Sequence, residues 1–408
     1  MRTRAIIHLD NLIENIKSVK DRIGEEKLIC VPVKADAYGH GALQIAEESL
    51  KAGVYCLGTA SVSEALELRK GGIKAPILIF SQTFPDEIPD IIRENLTPFI
   101  SDIDFADELN EQVIKTNLRF ADVLGSAAQN INLPVHLKID TGMRRAGCPA
   151  DEALALARRI ASCQGLKLTG IATHLAVSDS TDEQDITYTK DQIEIFKNLL
   201  DEIRTAGIDP GIVHAANSGA VILHPDSWFD MVRPGILLYG YKTAEENKCH
   251  FDHYSLLKKL TPITVKPVME LRCAITLIKK VKRGESVSYG RTWTAEKDTY
   301  IAILSAGYAD GLPRIASNIW QVLINGKVYP LIGRITMDQC CVNLCTDDLA
   351  ALPDIKRWDE AVIFGGQTSL RQHDAAELAE KSGTIPYEIT CNVSMRVVRE
   401  YVKKPHIA

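Results

Sequence analysis

The sequence predicts a (β/α)8 TIM barrel followed by a mostly β C-terminal domain. Three observations support this: eight short apolar runs from residue 28 onward, helical segments between them, and a change of pattern after about residue 240. Strands that alternate with helices are typical of a parallel sheet, and eight such units suffice to close it into a barrel. An open doubly wound sheet is the alternative, but no GxGxxG motif follows the first run, which disfavours its dinucleotide-binding form.

The eight predicted strands are short runs rich in apolar and β-branched residues. In chain order they read LICVPVKA, VYCLGTA, PILIF, TPFIS, VHLKID, LTGIATHL, GIVHAAN and FDMVRPGILLYG. Helices are predicted where apolar residues recur every three or four positions, as in GALQIAEESLKAG, SVSEALELRKGG, ADELNEQVIKT and EALALARRIASC. We assign residues 9–242 to the barrel.

The second domain is assigned to residues 243–408. A polar connection, TAEENKCHFDHYSLLKKLTPIT, leads into short strand-like runs with turn signals such as KRGESVSYGRTW, NGKVYPLIGR and GGQTSL. The opening TRAIIHLD is also strand-like, yet it precedes the first βα unit. Residues 1–8 are therefore expected to pair with the second domain.

Composition excludes several classes of function. The 47 Lys and Arg residues against 53 Asp and Glu residues give a net charge of -6 with no basic stripe, so a nucleic-acid partner is not expected. No apolar run has the length of a membrane span or the form of a signal peptide. The 10 cysteines lack CxxC spacing, which indicates reduced thiols in the cytoplasm and neither zinc nor disulfides.

Lys34 follows the first apolar run, at the end of a barrel strand where the catalytic groups of TIM barrels lie. An apolar environment lowers the pKa of a lysine, and a neutral amine can form a Schiff base, although a solvated surface charge is the ordinary alternative. Other strand ends also carry polar residues, namely Lys138, Asp140, Arg145, His174, Asn217, Ser218 and Arg233.

The last two strands are followed by groups that suit a phosphate. Ser218 offers a hydroxyl, and Gly235 and Ile236 offer backbone amides, at the position where TIM barrels commonly bind phosphate. A Schiff-base lysine together with a phosphate site predicts pyridoxal phosphate as the cofactor. The alternative is that NSGA forms only a helix cap and turn.

Nine segments, in this order, resemble those of bacterial alanine racemases: VPVKADAYGHGA, VHLKIDTGMRRAG, THLAVSDS, HAANSGA, VRPGILLYG, SVSYGRTW, AGYADG, GRITMDQ and PYEITC. The resemblance extends over residues 3–402. It implies a fold type III pyridoxal-phosphate enzyme that interconverts L-alanine and D-alanine for peptidoglycan. It also implies a head-to-tail homodimer in which each site borrows residues from the partner's second domain.

The resemblance also implies roles for single residues. Lys34 would carry the cofactor and act as one base, and Tyr289 of the other subunit would be the second base. The cofactor-binding set would be Lys34, Tyr38, His174, Asn217, Ser218, Arg233, Gly235, Ile236 and Tyr387. The substrate-binding set would be Arg145, Tyr308, Met337 and Asp338. Lys138 matches a position that is often carbamylated in the family, while Asp179, Arg314 and Arg334 match charged positions near the entrance and interface, or a structural ion-pair set.

Other readings share part of this pattern. A serine or broad-specificity racemase would need more room near Tyr308 and Tyr387, and a non-catalytic pyridoxal-phosphate-binding barrel would lack the second domain. A decarboxylase of the same architecture would show other motifs in its second domain. The chain departs from the family in Arg144, where glycine is common, and in a longer, more polar segment 241–260.

Overall fold

The computed structural model describes residues 2–124, 130–245, 248, 255, 257–345, 354–367 and 372–403. These residues form a parallel β barrel surrounded by helices and a second, mostly antiparallel β domain. The predicted fold class is confirmed. Along the described part of the chain, no helix is both long enough and apolar enough to cross a bilayer.

The described strands divide between the two sheets and two short hairpins. They are β1 (Thr3–His8), β2 (Leu28–Pro32), β3 (Cys56–Thr59), β4 (Ile77–Ile79), β5 (Thr97–Ile100), β6 (Leu133–Asp140), β7 (Cys148–Pro149), β8 (Leu166–Ala172), β9 (Ile212–His214), β10 (Met231–Val232), β11 (Met269–Val281), β12 (Ser286–Val287), β13 (Trp293–Thr294), β14 (Thr299–Leu304), β15 (Gln321–Ile324), β16 (Lys327–Ile332), β17 (Cys340–Asn343), β18 (Glu360–Phe364), β19 (Gly366–Gln367), β20 (Gln372–His373) and β21 (Val398–Val402).

Helices follow most barrel strands, and two lie near the end of the chain. They are α1 (Leu9–Ile23), α2 (Lys34–Gly39), α3 (Ala42–Lys51), α4 (Val62–Lys70), α5 (Ile88–Arg93), α6 (Ile103–Leu124), α7 (Ala153–Ser162), α8 (Glu183–Thr205), α9 (Ser218–Leu223), α10 (Ala375–Ser382) and α11 (Pro386–Cys391). Each of the four helical segments predicted from periodicity contains or overlaps one of these helices.

The barrel strands lie in the order β10, β2, β3, β4, β5, β6, β8, β9, and every neighbouring pair is parallel. The two outer strands, β9 and β10, approach each other: the Asp230 amide donates to the Val213 carbonyl at 3.0 Å, and the Arg233 amide donates to Ala216 at 2.8 Å. The barrel is therefore nearly closed, and the eight predicted strands all belong to it.

Local sequence signals explain where several helices begin. Helix α4 starts with a capping box, in which the Ser61 hydroxyl accepts from the Glu64 amide at 3.3 Å and the Glu64 carboxylate accepts from the Ser61 amide at 3.4 Å. Helix α8 starts at Asp182, whose carboxylate accepts from the Gln184 amide at 2.9 Å. These caps satisfy amides that have no partner inside the helix.

The second domain contains an eight-stranded sheet in the order β14, β17, β16, β15, β18, β11, β1, β21. Strand β1 pairs antiparallel with β11 and parallel with β21, so the first strand of the chain lies inside the sheet of the second domain. One cluster of buried apolar side chains continues from the barrel into this sheet. The two parts of the molecule therefore share a hydrophobic core.

Candidate active site

Lys34 lies two residues after the end of β2 and begins α2, a turn whose backbone is left-handed. The four residues Ala35–Tyr38 have φ between 51° and 55° and ψ between 38° and 52°, so α2 coils in the sense opposite to an ordinary helix. Each such residue other than glycine costs about 1–2 kcal/mol. The Ala35 amide donates to the Glu64 carboxylate at 2.7 Å, which fixes the first residue of the turn.

Buried hydrogen bonds hold the rest of this turn. The His40 ring is inaccessible to solvent, and its Nδ1 lies 3.0 Å from the Ala37 carbonyl and 2.9 Å from the Tyr38 carbonyl. Because carbonyls only accept, Nδ1 carries the proton and donates to both. The Asp36 carboxylate accepts from the Ala42 amide at 2.8 Å. Strain in the backbone is thus offset by contacts that exist only in this conformation.

The second domain closes over the same turn. The Arg399 guanidinium donates to the Gly39 carbonyl at 3.1 Å. A Cβ on Gly39 would collide with the Thr390 carbonyl oxygen, and a Cβ on Gly41 would collide with the Tyr401 hydroxyl. Both glycines have positive φ as well, 83° and 95°. These two positions therefore permit a close approach between the barrel and the second domain.

A small cup of donors lies beside the turn. The Ser218 hydroxyl accepts from the Gly235 amide at 2.9 Å, and it also forms a hydrogen bond with the Tyr387 hydroxyl. The Tyr38 and Tyr387 rings lie 5.8 Å apart between centroids. A Cβ on Gly235 would lie only 2.7 Å from the Tyr38 hydroxyl oxygen, so glycine keeps the cup open. Within the described chain no acceptor is placed for the amide of Ile236.

Arg233 lies below this cup in the buried interior of the barrel. Its Nη2 donates to the carbonyls of Thr173 at 2.7 Å and Ala215 at 3.1 Å, and its Nη1 lies 2.6 Å from Nδ1 of His214. The Nδ1 of His174 lies 3.4 Å from Nη2. These contacts of Nη1 and Nη2 fix the plane of the guanidinium, as expected for a residue that positions a charge.

A chain of two histidines continues from Arg233. Because a guanidinium can only donate, His214 Nδ1 must be the unprotonated nitrogen, and its proton sits on Nε2. That Nε2 lies 2.8 Å from Nδ1 of His136. Burial, with the charge of Arg233, lowers the pKa of His136 to about 3 and the pKa of His214 well below its ordinary value. Both rings are neutral at pH 7.

The lysines of the site are made less basic by their surroundings. Burial lowers the pKa of Lys34, and the positive charge of Arg145 lowers it further. Burial also lowers the pKa of Lys138 well below its ordinary value, with Arg233 and Arg145 contributing in the same direction. His174 responds to the same cations, and its pKa is likewise lowered well below the ordinary value, mainly by burial. The space beside Lys34, Lys138 and His174, which we call the chamber, is electropositive and suits an anionic ligand.

Asn217 is used as a helix cap. Its side-chain oxygen accepts from the Ala220 amide at 3.1 Å and from the Ser178 hydroxyl at 2.6 Å, and its amide donates to the Leu175 carbonyl at 3.3 Å. It therefore fixes the start of α9 and the position of Ser218. The helix cap that was the alternative explanation for NSGA is therefore present, and the donor cup formed around Ser218 is present as well.

Four of the predicted site residues lie apart from this group in the same chain. Tyr289, Tyr308 and Met337 are exposed on the second domain, with 75%, 43% and 52% of their surface accessible. Asp338 forms an ion pair with Arg396 at 2.9 Å. Among the described residues, no hydrogen bond or ion pair connects these four with Lys34. Arg145 is exposed, yet its charge reaches Lys34, Lys138 and His174.

His40, His136 and His214 support the site through buried contacts and were not identified from the sequence. The available signal was a histidine inside or just after an apolar strand run, in LPVHLKID and GIVHAAN. In the barrel, Gly170 of β8 is aligned with His136 of β6. A Cβ on Gly170 would lie 2.5 Å from the His136 ring, so its absence lets the ring lie across β8 toward His214.

Comparison with known proteins gives the family. The alanine racemase N-terminal domain matches residues 7–243, and the alanine racemase C-terminal domain matches residues 268–401. The chain belongs to the alanine racemase family. The alanine racemase of Treponema denticola is 48% identical over 402 residues and covers 98% of both chains, and that of Treponema pallidum is 40% identical over 401 residues, covering 98% of this chain and 99% of its own.

The fold agrees with solved structures of the alanine racemase family. The alanine racemase of Clostridium difficile 630 is 34% identical and superposes with a TM-score of 0.83, covering 99% of this chain and 96% of the solved one. The similarity extends through both the barrel and the β domain. The resemblance predicted from the nine sequence segments is thus confirmed at the level of the family.

Proposed function

We propose that this protein is an alanine racemase that uses pyridoxal phosphate and inverts the Cα centre of alanine. The observation that carries the proposal is the placement of Lys34: a half-buried amine with a lowered pKa, at the end of a barrel strand, beside a cup of phosphate donors. A neutral amine is the nucleophile that a covalent bond to the cofactor requires. Bound pyridoxal phosphate supplies the electron sink that acidifies the Cα proton.

The residues present fit this cofactor. Tyr38, Ser218 and Tyr387 would bind its phosphate through hydroxyl groups, and the Gly235 and Ile236 amides would bind it through the backbone. Gly235 has no Cβ, and the Ile236 amide has no acceptor among the described residues, so backbone donors can face the phosphate without side chains between. The electropositive chamber compensates a phosphate dianion. Asn217 contributes by fixing the start of α9.

Arg233 would face the pyridine nitrogen. A guanidinium keeps its protons, so it can only donate to that nitrogen and leaves it unprotonated. Held in this way, Arg233 would make the bound cofactor a weaker electron sink and would favour racemisation over transamination. The hydrogen bonds from Arg233 to Thr173 and Ala215, together with the contact to His214, hold it at this position.

Inversion requires a base on each face of the reacting carbon. Lys34 would serve one face. Tyr289 of a second copy would serve the other, with His174 and Arg233 positioned to interact with its hydroxyl. Tyr289 is exposed and does not contact Lys34 of its own chain, which supports a homodimer with shared sites.

The substrate carboxylate would be bound by Arg145 and by the backbone of Met337 from the second copy, with Tyr308 and Asp338 near the entrance. Lys138 would be carbamylated: burial lowers the pKa of its amine, which favours the neutral form that adds carbon dioxide. The resulting anion would lie between Arg145 and Arg233, and it would orient the former. Release of carbon dioxide at low pH reverses this modification.

The proposed role in the cell is the supply of D-alanine. D-alanine made in the cytoplasm would supply peptidoglycan. We retain residues 9–242 and 243–408 as the two domains. The ranges matched by the two family domains, 7–243 and 268–401, support this division.

The test is racemisation by the purified protein loaded with pyridoxal phosphate. L-alanine and L-serine are supplied separately, and the D-enantiomers are measured by chiral chromatography. Fast formation of D-alanine with little D-serine is expected, since Tyr308 and Tyr387 restrict the space beside Cα. Comparable rates would indicate a broad or serine racemase. No product from a chain that binds the cofactor would indicate a binding protein.

Two variants test the assignment of the bases. Lys34→Ala is expected to abolish covalent attachment of the cofactor, seen as loss of its bound absorption band. Tyr289→Phe should keep that band and lose about 100-fold or more of turnover, the usual contribution of a general base. A Tyr289→Phe protein with normal turnover would contradict the two-base assignment.

A further inference from the structure

A second cavity opens at the amino-terminal end of the barrel, opposite the end that carries Lys34. We call it the floor cavity, and its volume is about 180 Å3. Because a water molecule occupies about 30 Å3, the cavity has room for roughly six waters or one small ion with part of its hydration shell. Its lining includes Tyr55, Arg69, Lys74, Thr97 and His136.

His136 lines this cavity, and its free nitrogen is a donor. The ring is 4% exposed, and its Nδ1 accepts from Nε2 of His214. The donor role of Arg233 fixes the tautomer of His214, and the tautomer of His214 fixes that of His136. The remaining proton of His136 therefore sits on Nε2, for which the described residues provide no acceptor. A ligand at this nitrogen must accept a hydrogen bond.

The lining itself supplies positive charge through Arg69 and Lys74, while the Glu94 carboxylate, whose charge acts on Arg69, lies outside the lining. Arg69 donates to the backbone carbonyls of Glu94 at 3.1 Å, Ile73 at 3.0 Å and Ala75 at 2.8 Å, and in the described part of the chain it forms no ion pair. Lys74 is exposed and also has no ion pair there. None of the residues that line the cavity is acidic. A cation is disfavoured at this site, and an anion is favoured.

We propose that the floor cavity binds a small oxyanion, such as inorganic phosphate or a small carboxylate, through the Nε2 proton of His136. Arg69 and Lys74 attract the ion, and the hydroxyls of Tyr55 and Thr97 lie at the same opening. Gly170 contributes by its missing side chain, because a Cβ there would lie 2.6 Å from Nε2 of His136. The ligand class follows from the direction of the hydrogen bonds and the sign of the charge.

The site communicates with Arg233, and this part rests on the proposed function. An oxyanion that accepts from His136 Nε2 favours the tautomer that leaves His136 Nδ1 free to accept from His214. His214 then keeps Nδ1 unprotonated for Arg233. Occupancy of the floor cavity thus holds the guanidinium in the direction required to face the pyridine nitrogen.

The test is anion titration of the holoprotein labelled with 15N-histidine. Inorganic phosphate and acetate are titrated in separate arms at constant ionic strength set with chloride, and affinity is measured in parallel by calorimetry. We expect the His136 Nε2 proton to shift in at least one arm, and the His214 Nε2 proton to shift with it. The arm with the tighter affinity identifies the class of oxyanion.

Two charge reversals on neighbouring exposed lysines provide the control. Lys74→Glu places a negative charge at the cavity and should weaken binding roughly three- to tenfold, in line with the small energies of exposed charge pairs. Lys70→Glu changes net charge equally, but Lys70 does not line the cavity, so affinity should change less than twofold. His136→Phe should abolish the binding that depends on Lys74.

Absence of a His136 shift in both arms would overturn the proposal, as would equal affinities in Lys74→Glu and Lys70→Glu. Anions bound near Arg145 would survive both reversals and would count against the floor cavity. The titration needs no turnover, so its outcome is readable even if the protein fails to racemise alanine. A shift at His136 without one at His214 would overturn only the connection to Arg233.

Discussion

Arg144 illustrates how one residue can carry a conformational cost in its backbone. It has a φ of 58°, in the left-handed region where glycine is favoured, and its amide donates to the Asp140 carboxylate at 3.1 Å. The loop before Arg145 needs this conformation whichever residue occupies the position. Glycine is the residue that adopts this φ without strain.

We expect Arg144→Gly to raise the free energy of unfolding by about 0.5–1 kcal/mol. Relief of left-handed strain, about 1–2 kcal/mol, exceeds the entropy cost of a glycine, about 0.5–1 kcal/mol. Arg144→Ala removes the same charge and keeps the strain, so it is the matched control and should not be stabilising. Urea unfolding of the three proteins measures the difference. Equal stabilisation by both substitutions would assign the effect to charge.

Most of the fold could be predicted because strands and helices leave periodic patterns in the sequence. The site was partly predictable for a related reason: Lys34 and Ser218 follow strands, and the ends of parallel strands meet at one edge. The hydrogen-bonded chain from Arg233 through His214 to His136 was not predictable. It depends on the strand order, which places β9 two strands from β6, and on the absence of a side chain at Gly170 of β8. In the proposed homodimer, Tyr289 and Tyr308 would reach Lys34 of the other chain, and local sequence patterns do not predict such contacts between chains.

At the scale of elements, the left-handed turn α2 is the feature that local sequence could not predict. Its residues are ordinary helix formers such as alanine, and the contacts that stabilise the reversed hand come from elsewhere. His40 and Glu64 hold it from the barrel, while Arg399 and the Thr390 region hold it from the second domain. Tertiary contacts here override local preference.

Gly39→Ala should therefore lower the free energy of unfolding by about 3 kcal/mol or more, which combines backbone strain with overpacking. Its Cβ would meet the carbonyl of Thr390, a backbone atom that cannot rotate away. Gly72→Ala is the control, because Gly72 has a similar φ of 94° with nothing within 4 Å of the added Cβ. That variant should lose only about 1–2 kcal/mol. Similar losses, measured by urea unfolding, would contradict a close approach of the domains.

At the scale of the whole molecule, buried neutral histidines make stability depend on pH. Burial lowers the pKa of His40 to about 4 and that of His136 to about 3, and His214 is lowered in the same direction. In the unfolded chain each titrates near its ordinary value of about 6.5. Below that pH the unfolded state binds protons that the folded state does not, so acidification favours unfolding.

Stability should fall as pH decreases from about 6.5 toward 4, by up to about 1.4 kcal/mol per pH unit for each of these histidines. Urea midpoints between pH 7.5 and about 5.5 measure the slope while most carboxylates remain ionised. His40→Gln should reduce the slope by up to about one proton. Stability that is constant or rises on acidification would contradict neutral burial.

Shared sites in a homodimer predict complementation between inactive chains. In a heterodimer of Lys34→Ala and Tyr289→Phe, one site combines the intact lysine of one chain with the intact tyrosine of the other. Random reassortment of equal amounts should therefore restore about a quarter of the wild-type activity, given two-fold symmetry. Chiral chromatography after refolding the mixture measures the recovery. Verified heterodimers without activity would indicate that each site is built within one chain.

The contacts that Arg399 and the second domain make with α2 can form only late in synthesis of the chain. A ribosome releases the barrel strands long before Arg399 and β21, yet Arg399 donates to Gly39 and β21 lies beside β1. The turn that presents Lys34 is therefore secured only when the last described strand has emerged and paired with the first. In a nascent barrel the turn that carries Lys34 would lack these contacts, so the cofactor should bind only after the whole chain has been made. A chain truncated before residue 398 should therefore fail to bind it.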